Sequence, residues 1–388
     1  MSGNNNNNGG GNDNIGNFYS NLFNIPQGGG GAGTNVAEYA GDIADNTPEE
    51  PERPQITREE IIEHANKFVV GQTEAKNTLA HILYNHIWRR HYNVNVAAKS
   101  PESGLYRLSK SNVLLIGNSG VGKTYLIKTM CKYLDIPYVV EDVTKFSSAG
   151  YTGDNVESML TALYMESQGN LHRAEGGVIF IDEMDKMATR KTNTGSVNTT
   201  GVQHALLKMV EGQRALRIGK SFHRDAPQIP FDTSDVLFVF AGAFGNLSGK
   251  IEEEMAEYGE RRTGKNKSVG FIRPAKKNVD EAIAPELASL VEEQDIIDYG
   301  IIPEILGRIG TYVVLNKLTH DDLINILVKA ENNPVQQFKR LFQYQHREWP
   351  LTRPDYDLIV NKCMKSETGA RGLLRELEKM LVVRENSI

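Results

Sequence analysis

Gly117-Asn118-Ser119-Gly120-Val121-Gly122-Lys123-Thr124 is the stretch that decides how this chain reads. Ahead of it, Val113-Leu114-Leu115-Ile116 is an uninterrupted apolar run of the length of a buried strand. Behind it, Tyr125-Leu126-Ile127-Lys128-Thr129-Met130 opens an apolar-striped helix. The stretch fits the pattern G-x-x-x-x-G-K-[ST] in the strand–loop–helix context that the pattern requires. Glycine spacing lets the backbone approach phosphate and turn successive N–H groups toward it. The helix N-terminus adds partial positive charge. Lys123 is placed to neutralise β- and γ-phosphates, and the Thr124 hydroxyl to ligate magnesium. Gly117 to Tyr125 are therefore the candidate nucleotide-binding residues.

Composition narrows what surrounds this loop. At 388 residues the chain has room for two domains with proper cores. Its 43 Lys and Arg against 49 Asp and Glu leave a formal charge of −6, and no dense basic tract stands out. Nucleic-acid binding relies on neutralising phosphates with basic side chains, so this balance argues against a nucleic-acid partner. The only cysteines, Cys131 and Cys363, sit apart in helical-looking stretches. Two isolated thiols make neither a disulfide framework nor a four-ligand zinc site, which predicts no zinc and a reducing compartment, the cytoplasm first. The longest apolar run, Val236 to Phe244, is too short to span a bilayer, and Asn and Gly follow Met1 where a secretory leader would be basic and then apolar. A soluble protein with no membrane partner is the expectation.

Residues 1–55 are of low complexity, with an Asn run at Asn4 to Asn8, glycine clusters and the acidic Glu49-Glu50-Pro51-Glu52-Arg53-Pro54. Such a segment buries too little apolar surface to offset its ordering entropy, so a disordered tail is expected. Order is predicted from Thr57, which with Glu60 forms a capping box ahead of Ile61, Ile62, Ala65 and Phe68. Val69-Val70-Gly71-Gln72 then breaks the helix before a second one over Thr73 to Arg90. Strands are expected over Pro137 to Val140, Gly177 to Ile181, Val236 to Phe240 and Tyr312 to Leu315, with a helix through Leu160 and Leu163 and another over Val202 to Glu211. Continuous apolar strands alternating with helices indicate an α/β fold, a parallel sheet covered on both faces. Gly150-Tyr151-Thr152-Gly153 reads as an exposed turn, and Gly245 to Lys277 as a long polar insert. Thr319 and Asp322 cap a further helix, Pro334 is expected to end that helical region, and the remainder to Ile388 reads as helical. The division is therefore a 1–55 tail, a 56–317 α/β domain and a small helical domain over 318–388.

Asp182-Glu183, closing the strand that starts at Gly177, is the natural companion of a phosphate loop. An aspartate there holds magnesium through water, and the next carboxylate polarises the attacking water. General-base assistance of that kind gives roughly 10²–10⁴ in rate.

With these residues in view the chain resembles the ClpX branch of the AAA+ unfoldases. The resemblance is carried by Leu114 to Thr124, Gly150-Tyr151-Thr152-Gly153, GVIFIDEMDK from Gly177, GVQHALLKMVEG from Gly201, IPEILGR from Ile302 and TGARG from Thr368. The related HslU type carries a large extra domain after the acidic strand, for which there is no room here. The resemblance implies a AAA+ domain followed by a helical lid, hydrolysing ATP with Mg2+, and a homohexamer that pulls unfolded or tagged proteins through an axial pore. By position it makes Val70 part of the segment that cups adenine, Arg308 the arginine finger reaching a neighbouring subunit's γ-phosphate, and Arg371 the lid's nucleotide sensor. Lys123, Glu183 and Arg308 are then the catalytic set, and Thr124 with Asp182 the magnesium set. Tyr151, with Thr152 beside it, matches the pore loop that grips substrate, and Val269-Gly270-Phe271 matches the loop that docks on a ClpP-type peptidase. A nucleic-acid motor or clamp loader, a stand-alone remodelling chaperone and a non-hydrolysing scaffold are the alternatives.

The chain departs from the branch in four places. The branch's N-terminal zinc domain is expected to be missing, with the Asn/Gly tail in its place. Phe222-His223-Arg224, within Lys220 to Phe231, takes the place of a basic second pore loop. The strand ending Phe240-Ala241-Gly242-Ala243 lacks the Asn or Thr common in other AAA+ proteins. The small domain stops soon after the sensor helix.

Overall fold

All five residues of β1 (Asn112–Ile116) are buried, and their side chains alternate between two different cores. In the computed structural model, which describes residues 54–99, 106–146, 155–188, 199–213, 216–219, 228–245, 291 and 293–385, this strand is the hub of a parallel sheet. The other strands are β2 (Tyr138–Asp142), β3 (Val178–Asp182), β6 (Leu237–Gly242) and β7 (Ile309–Val314), in the order β2-β3-β6-β1-β7. β4 (Leu216–Gly219) and β5 (Gln228–Phe231) pair separately as an antiparallel hairpin.

Period-two alternation along each central strand explains the two cores. Leu114, Ile116, Ile179, Ile181, Phe238 and Phe240 face one side. There they meet α4 (Ser158–Glu166), α5 (Leu171–Glu175), α6 (Thr199–Glu211), α7 (Glu293–Tyr299) and α8 (Pro303–Leu306) through residues such as Leu163, Ala174, Leu206, Ile296 and Ile305. Val113, Leu115, Val178, Phe180, Leu237 and Val239 face the other side. That side is covered by α1 (Arg58–Phe68), α2 (Thr73–Asn95) and α3 (Lys123–Tyr133) through Ile61, Leu79, Leu83 and Leu126. A strand buried on both faces has no polar face to show, which is why these segments read as continuous apolar runs.

Four helices form a third core: α9 (His320–Val328), α10 (Pro334–Tyr344), α11 (Arg353–Lys365) and α12 (Arg371–Glu385). Leu323, Leu327, Ile359, Val360, Leu373 and Leu377 lie at its centre. The capping boxes expected at Thr57–Glu60 and Thr319–Asp322 are both formed, and Thr352 with Asp355 makes a third ahead of α11.

Several expectations shift. α2 runs on past Arg90 to Asn95, and β7 starts at Ile309 rather than at Tyr312. Pro334 does not end a helix but begins one: Asn333 caps the N-terminus by accepting from the Gln336 N–H, and proline occupies the first turn, where a missing N–H costs nothing. Gln228–Phe231, expected within the second pore loop, is strand. Among the described residues no helix is long and apolar enough to cross a membrane.

Candidate functional site

The phosphate loop leaves the sheet at the C-terminal end of β1, where the Gly117 N–H donates to the Gly242 carbonyl of β6 at 3.2 Å. It ends at Gly122, whose φ of 102° starts α3 with no side-chain cap. The first N–H groups of α3 are thereby left for an anion, the arrangement a nucleotide phosphate needs. Lys123 is buried, and its Nζ donates to the carbonyls of Gly117 at 2.5 Å and Asn118 at 3.0 Å. Burial holds its ammonium below the usual lysine range; Asp182 pulls it back up, Arg371 pushes it further down and Asp185 again raises it. A buried cation resting on two carbonyls gains most from a phosphate group brought beside it.

Parallel pairing of β1, β6 and β3 brings Asp182 to the same end of the sheet. Thr124 Oγ1 donates to Asp182 Oδ2 at 2.9 Å, joining a hydroxyl and a carboxylate separated by 58 residues. An all-oxygen pair of this kind suits a hard cation such as magnesium, which takes oxygen ligands and keeps water in its shell. Glu183 follows in the left-handed region, at φ 59°, and its N–H donates to Asp182 Oδ1 at 2.9 Å. Its side chain is exposed. A non-glycine residue with that backbone carries a cost of about 1–3 kcal/mol, and such residues concentrate at functional sites.

The helical domain closes over this loop. Arg371 donates from Nη1 to Ser119 Oγ at 3.2 Å, and the Ala370 N–H donates to the Gly120 carbonyl at 3.1 Å. Two glycines make that approach possible: a Cβ on Gly120 would lie 2.5 Å from the Thr368 carbonyl, and one on Gly369 2.9 Å from the Gly120 carbonyl. Between the two domains runs a cleft of about 370 Å³. Gly120, Val121, Gly122, Lys123, Thr124 and half-exposed Tyr125 line its phosphate end, and Val70 and Arg371 also line it. A triphosphate, a ribose and a base require a pocket of this size and polarity.

Not every expected residue joins the cluster. Arg308 lies just past α8, beside the start of β7, and its carbonyl accepts from Asn112 Nδ2 at 2.8 Å. β7 runs parallel to β1, with Ile309 opposite Asn112 and Val314 opposite Ile116. Arg308 is thus at the N-terminal edge of the sheet and its own phosphate loop at the C-terminal edge, about 17 Å away at strand rise, beyond the reach of an arginine side chain. It pairs instead with Glu211 at the end of α6, at 2.8 Å. Tyr151, Thr152, Val269, Gly270 and Phe271 lie outside the described residues.

Three residues to which the sequence assigned no role of their own hold the parts together. Gln72 clasps the Asn316 backbone, donating to its carbonyl and accepting from its N–H, both at 2.8 Å. Gln203, fully buried on α6, donates to the carbonyls of Met187 and Gly300 and accepts from the Ile302 N–H. Asp185, buried, accepts from the Ala243 N–H at 3.2 Å and so ties the acidic strand's end to β6. Of the three, Gln203 gives a signal in the sequence, a polar residue among the apolar Val202, Leu206 and Val210, which is easily taken for a solvated one.

A family model described as AAA domain (Cdc48 subfamily) matches residues 108–312, from the connector before β1 to the middle of β7. A Treponema denticola protein named ATP-dependent Clp protease ATP-binding subunit ClpX is 35% identical over 331 residues, covering 84% of this chain and 76% of that protein. The protein of the same name from Azotobacter vinelandii is 36% identical over 334 residues, covering 84% of this chain and 73% of that one. ClpX 3 of Methylococcus capsulatus is 32% identical over 332 residues. With a phosphate loop, an acidic strand end bonded to it and a helical domain packed against it, and with this extent of identity, the chain belongs to the ClpX family of AAA+ ATPases, enzymes that hydrolyse ATP with magnesium.

Proposed function

We propose that this chain forms a hexameric ring which uses ATP hydrolysis at subunit boundaries to unfold proteins and thread them through its axial pore toward a ClpP-type peptidase. The observation that carries the ring is the separation of Arg308 from its own phosphate loop by the length of the sheet. An exposed arginine at that edge serves a nucleotide only if the nucleotide belongs to a neighbour. The peptidase enters through the relatives' name, subunit of an ATP-dependent Clp protease, together with Val269-Gly270-Phe271.

Within one site the division of labour follows from the side chains. Lys123 releases the Gly117 and Asn118 carbonyls to hold the terminal phosphates. Thr124 and Asp182 would hold magnesium, which when bound neutralises phosphate charge and orients the group being displaced. Glu183 takes the proton of the attacking water. Arg371 and the Gly120–Ala370 bond carry the state of the loop into the helical domain. Arg308 completes the neighbouring site, a contribution worth roughly 10³–10⁵ in turnover where such fingers act.

Mixing Arg308→Ala with wild-type subunits tests this. Turnover should fall faster than the wild-type fraction, because each variant subunit disables a site that it does not itself contain. Strict proportionality to the wild-type fraction would assign Arg308 a role within its own subunit and remove the support for a shared site.

A further inference from the structure

Both ends of α6 hold the segment that carries Arg308. Near its start, the fully buried Gln203 donates from Nε2 to the Met187 carbonyl at 3.0 Å and to the Gly300 carbonyl at 3.3 Å. Its Oε1 accepts from the Ile302 N–H at 2.8 Å. Met187 closes the short turn that follows Glu183, whereas Gly300 and Ile302 lead into α8. At the last residue of α6, Glu211 Oε1 accepts from Arg308 Nη2 at 2.8 Å. The two holds are about 12 Å apart at helical rise. One lies beside the acidic end of β3, the other at the end of the sheet where β7 starts.

α8 is a single turn, too short to keep its place by its own hydrogen bonds. Ile305 and Leu306 anchor it in the core, and its N-cap, Ile302, has no capping side chain but gives its N–H to Gln203. Three backbone groups from two segments thus share one buried amide. Buried bonds of this kind fix position, because leaving a group unpaired is costly. The Arg308–Glu211 pair is different, since both side chains are about half exposed and such a pair adds little to stability. It narrows the rotamers of a long side chain, and among the described residues it engages only Nη2 of the guanidinium, leaving the rest of the fork for an anion.

We propose that Gln203 and Glu211 are positioning residues for Arg308: Gln203 sets α8 against the acidic turn of its own subunit, and Glu211 aims the guanidinium at the neighbouring site. This rests on Arg308 serving a neighbour's nucleotide, and it deepens that reading by naming what holds the finger and what ties it to its own subunit's site. A displacement of the acidic turn then reaches α8 through one buried amide.

The test is steady-state ATP turnover of the full chain for Gln203→Met and Glu211→Ala, each alone and each combined with Arg308→Ala. Gln203→Met keeps the side chain's length and loses its bonds; Glu211→Ala changes an exposed position and leaves the fold in place. Each single variant should lower kcat by about 3–10-fold with KM for ATP unchanged. In the Arg308→Ala background neither should lower the residual turnover further, because nothing is left to position. Losses that multiply in that background would give Gln203 and Glu211 roles apart from the finger and overturn the proposal, as would full kcat in either single variant. If a lowered denaturant midpoint shows that Gln203→Met does not fold, Glu211→Ala decides by the same cycle. Wild-type turnover in Arg308→Ala alone would instead overturn the shared site, and this assignment with it.

Discussion

At the scale of single residues, the proposed mechanism assigns binding to one group and reaction to another, and the two sit in opposite environments. Lys123 is buried, held below its ordinary pKa by desolvation, and rests on carbonyl oxygens. Glu183 is exposed and held by a left-handed backbone next to a carboxylate engaged with Thr124. Removing the first strips charge from the phosphate end. Removing the second leaves every phosphate contact untouched. Glu183→Gln should therefore keep ATP affinity while hydrolysis drops by roughly 10²–10⁴, and Lys123→Ala should weaken ATP binding itself by about 10–100-fold. Nucleotide affinity and single-turnover hydrolysis, measured on both variants, check this; equal loss of affinity in the two would contradict the division.

At the scale of elements, α2 is the unusual member. A helix against a sheet ordinarily buries apolar residues, yet α2 also buries His86, Arg90 and Asn93 near the N-terminal end of the strands. They are tied into a network centred on Asp235, which accepts from Asn93 at 2.9 Å and Arg107 at 2.6 Å and faces Arg90 at 3.7 Å. His86 Nε2 is 2.8 Å from the Gly176 carbonyl and must carry the proton, so Nδ1 accepts from Arg89 at 3.1 Å. Burial first, and then the Arg89 cation, push the His86 pKa down from 6.5 to about 3; burial and Arg90 push His172 down to about 4. Both histidines are thus neutral when folded and protonated when unfolded across the mildly acidic range. Their contribution to stability is complete above pH 6.5 and drains away as pH falls toward 4 and then 3. For His86 the slope is about 1.4 kcal/mol per pH unit in that window. Denaturant midpoints taken between pH 7 and pH 5 should fall, and His86→Gln should flatten that fall by about one proton's worth. An identical slope in the variant would show that the acid sensitivity has another source.

At the scale of the whole molecule, the proposed ring has the two ends of the sheet serving different copies. The C-terminal edge collects the phosphate loop, Asp182 and the lid; the N-terminal edge presents Arg308. If Arg308 is the proposed finger, each subunit carries one at one end of the sheet and needs one at the other, and head-to-tail contacts of that kind make a ring when their rotation closes. Work on a polypeptide is then expected from Tyr151. Tyr151→Ala keeps every group at the ATP cleft, so hydrolysis should continue while a stable, tagged substrate stays folded; unimpaired unfolding would shift the grip to Phe222-His223-Arg224. Phe271→Ser should abolish association with a ClpP-type peptidase and spare ATP turnover. Burying one phenylalanine stabilises by only about 1.5–3 kcal/mol, so tight docking needs the multiplicity of a ring. Peptidase association that survives this change would place docking elsewhere.

What the sequence determined by itself was whatever chemistry repeats locally. Glycine and lysine spacing announced the phosphate loop, unbroken apolar runs announced strands buried on both faces, and Thr57–Glu60 and Thr319–Asp322 announced helix starts, because each pattern acts within a few residues of itself. Pro334 shows the limit of local signals: the same residue stops one helix or starts another, and only the Asn333 cap decides between them. The tertiary structure alone decided that β1 lies between β6 and β7, that Gln72 meets Asn316 across 244 residues, that Gly120 needs a glycine opposite it at position 369, and that Arg308 ends up a sheet's length from its own chain's phosphate loop. Strand order and inter-domain contact are set by how complete elements fit together, and that fit depends on surfaces which come into being only once the elements have formed.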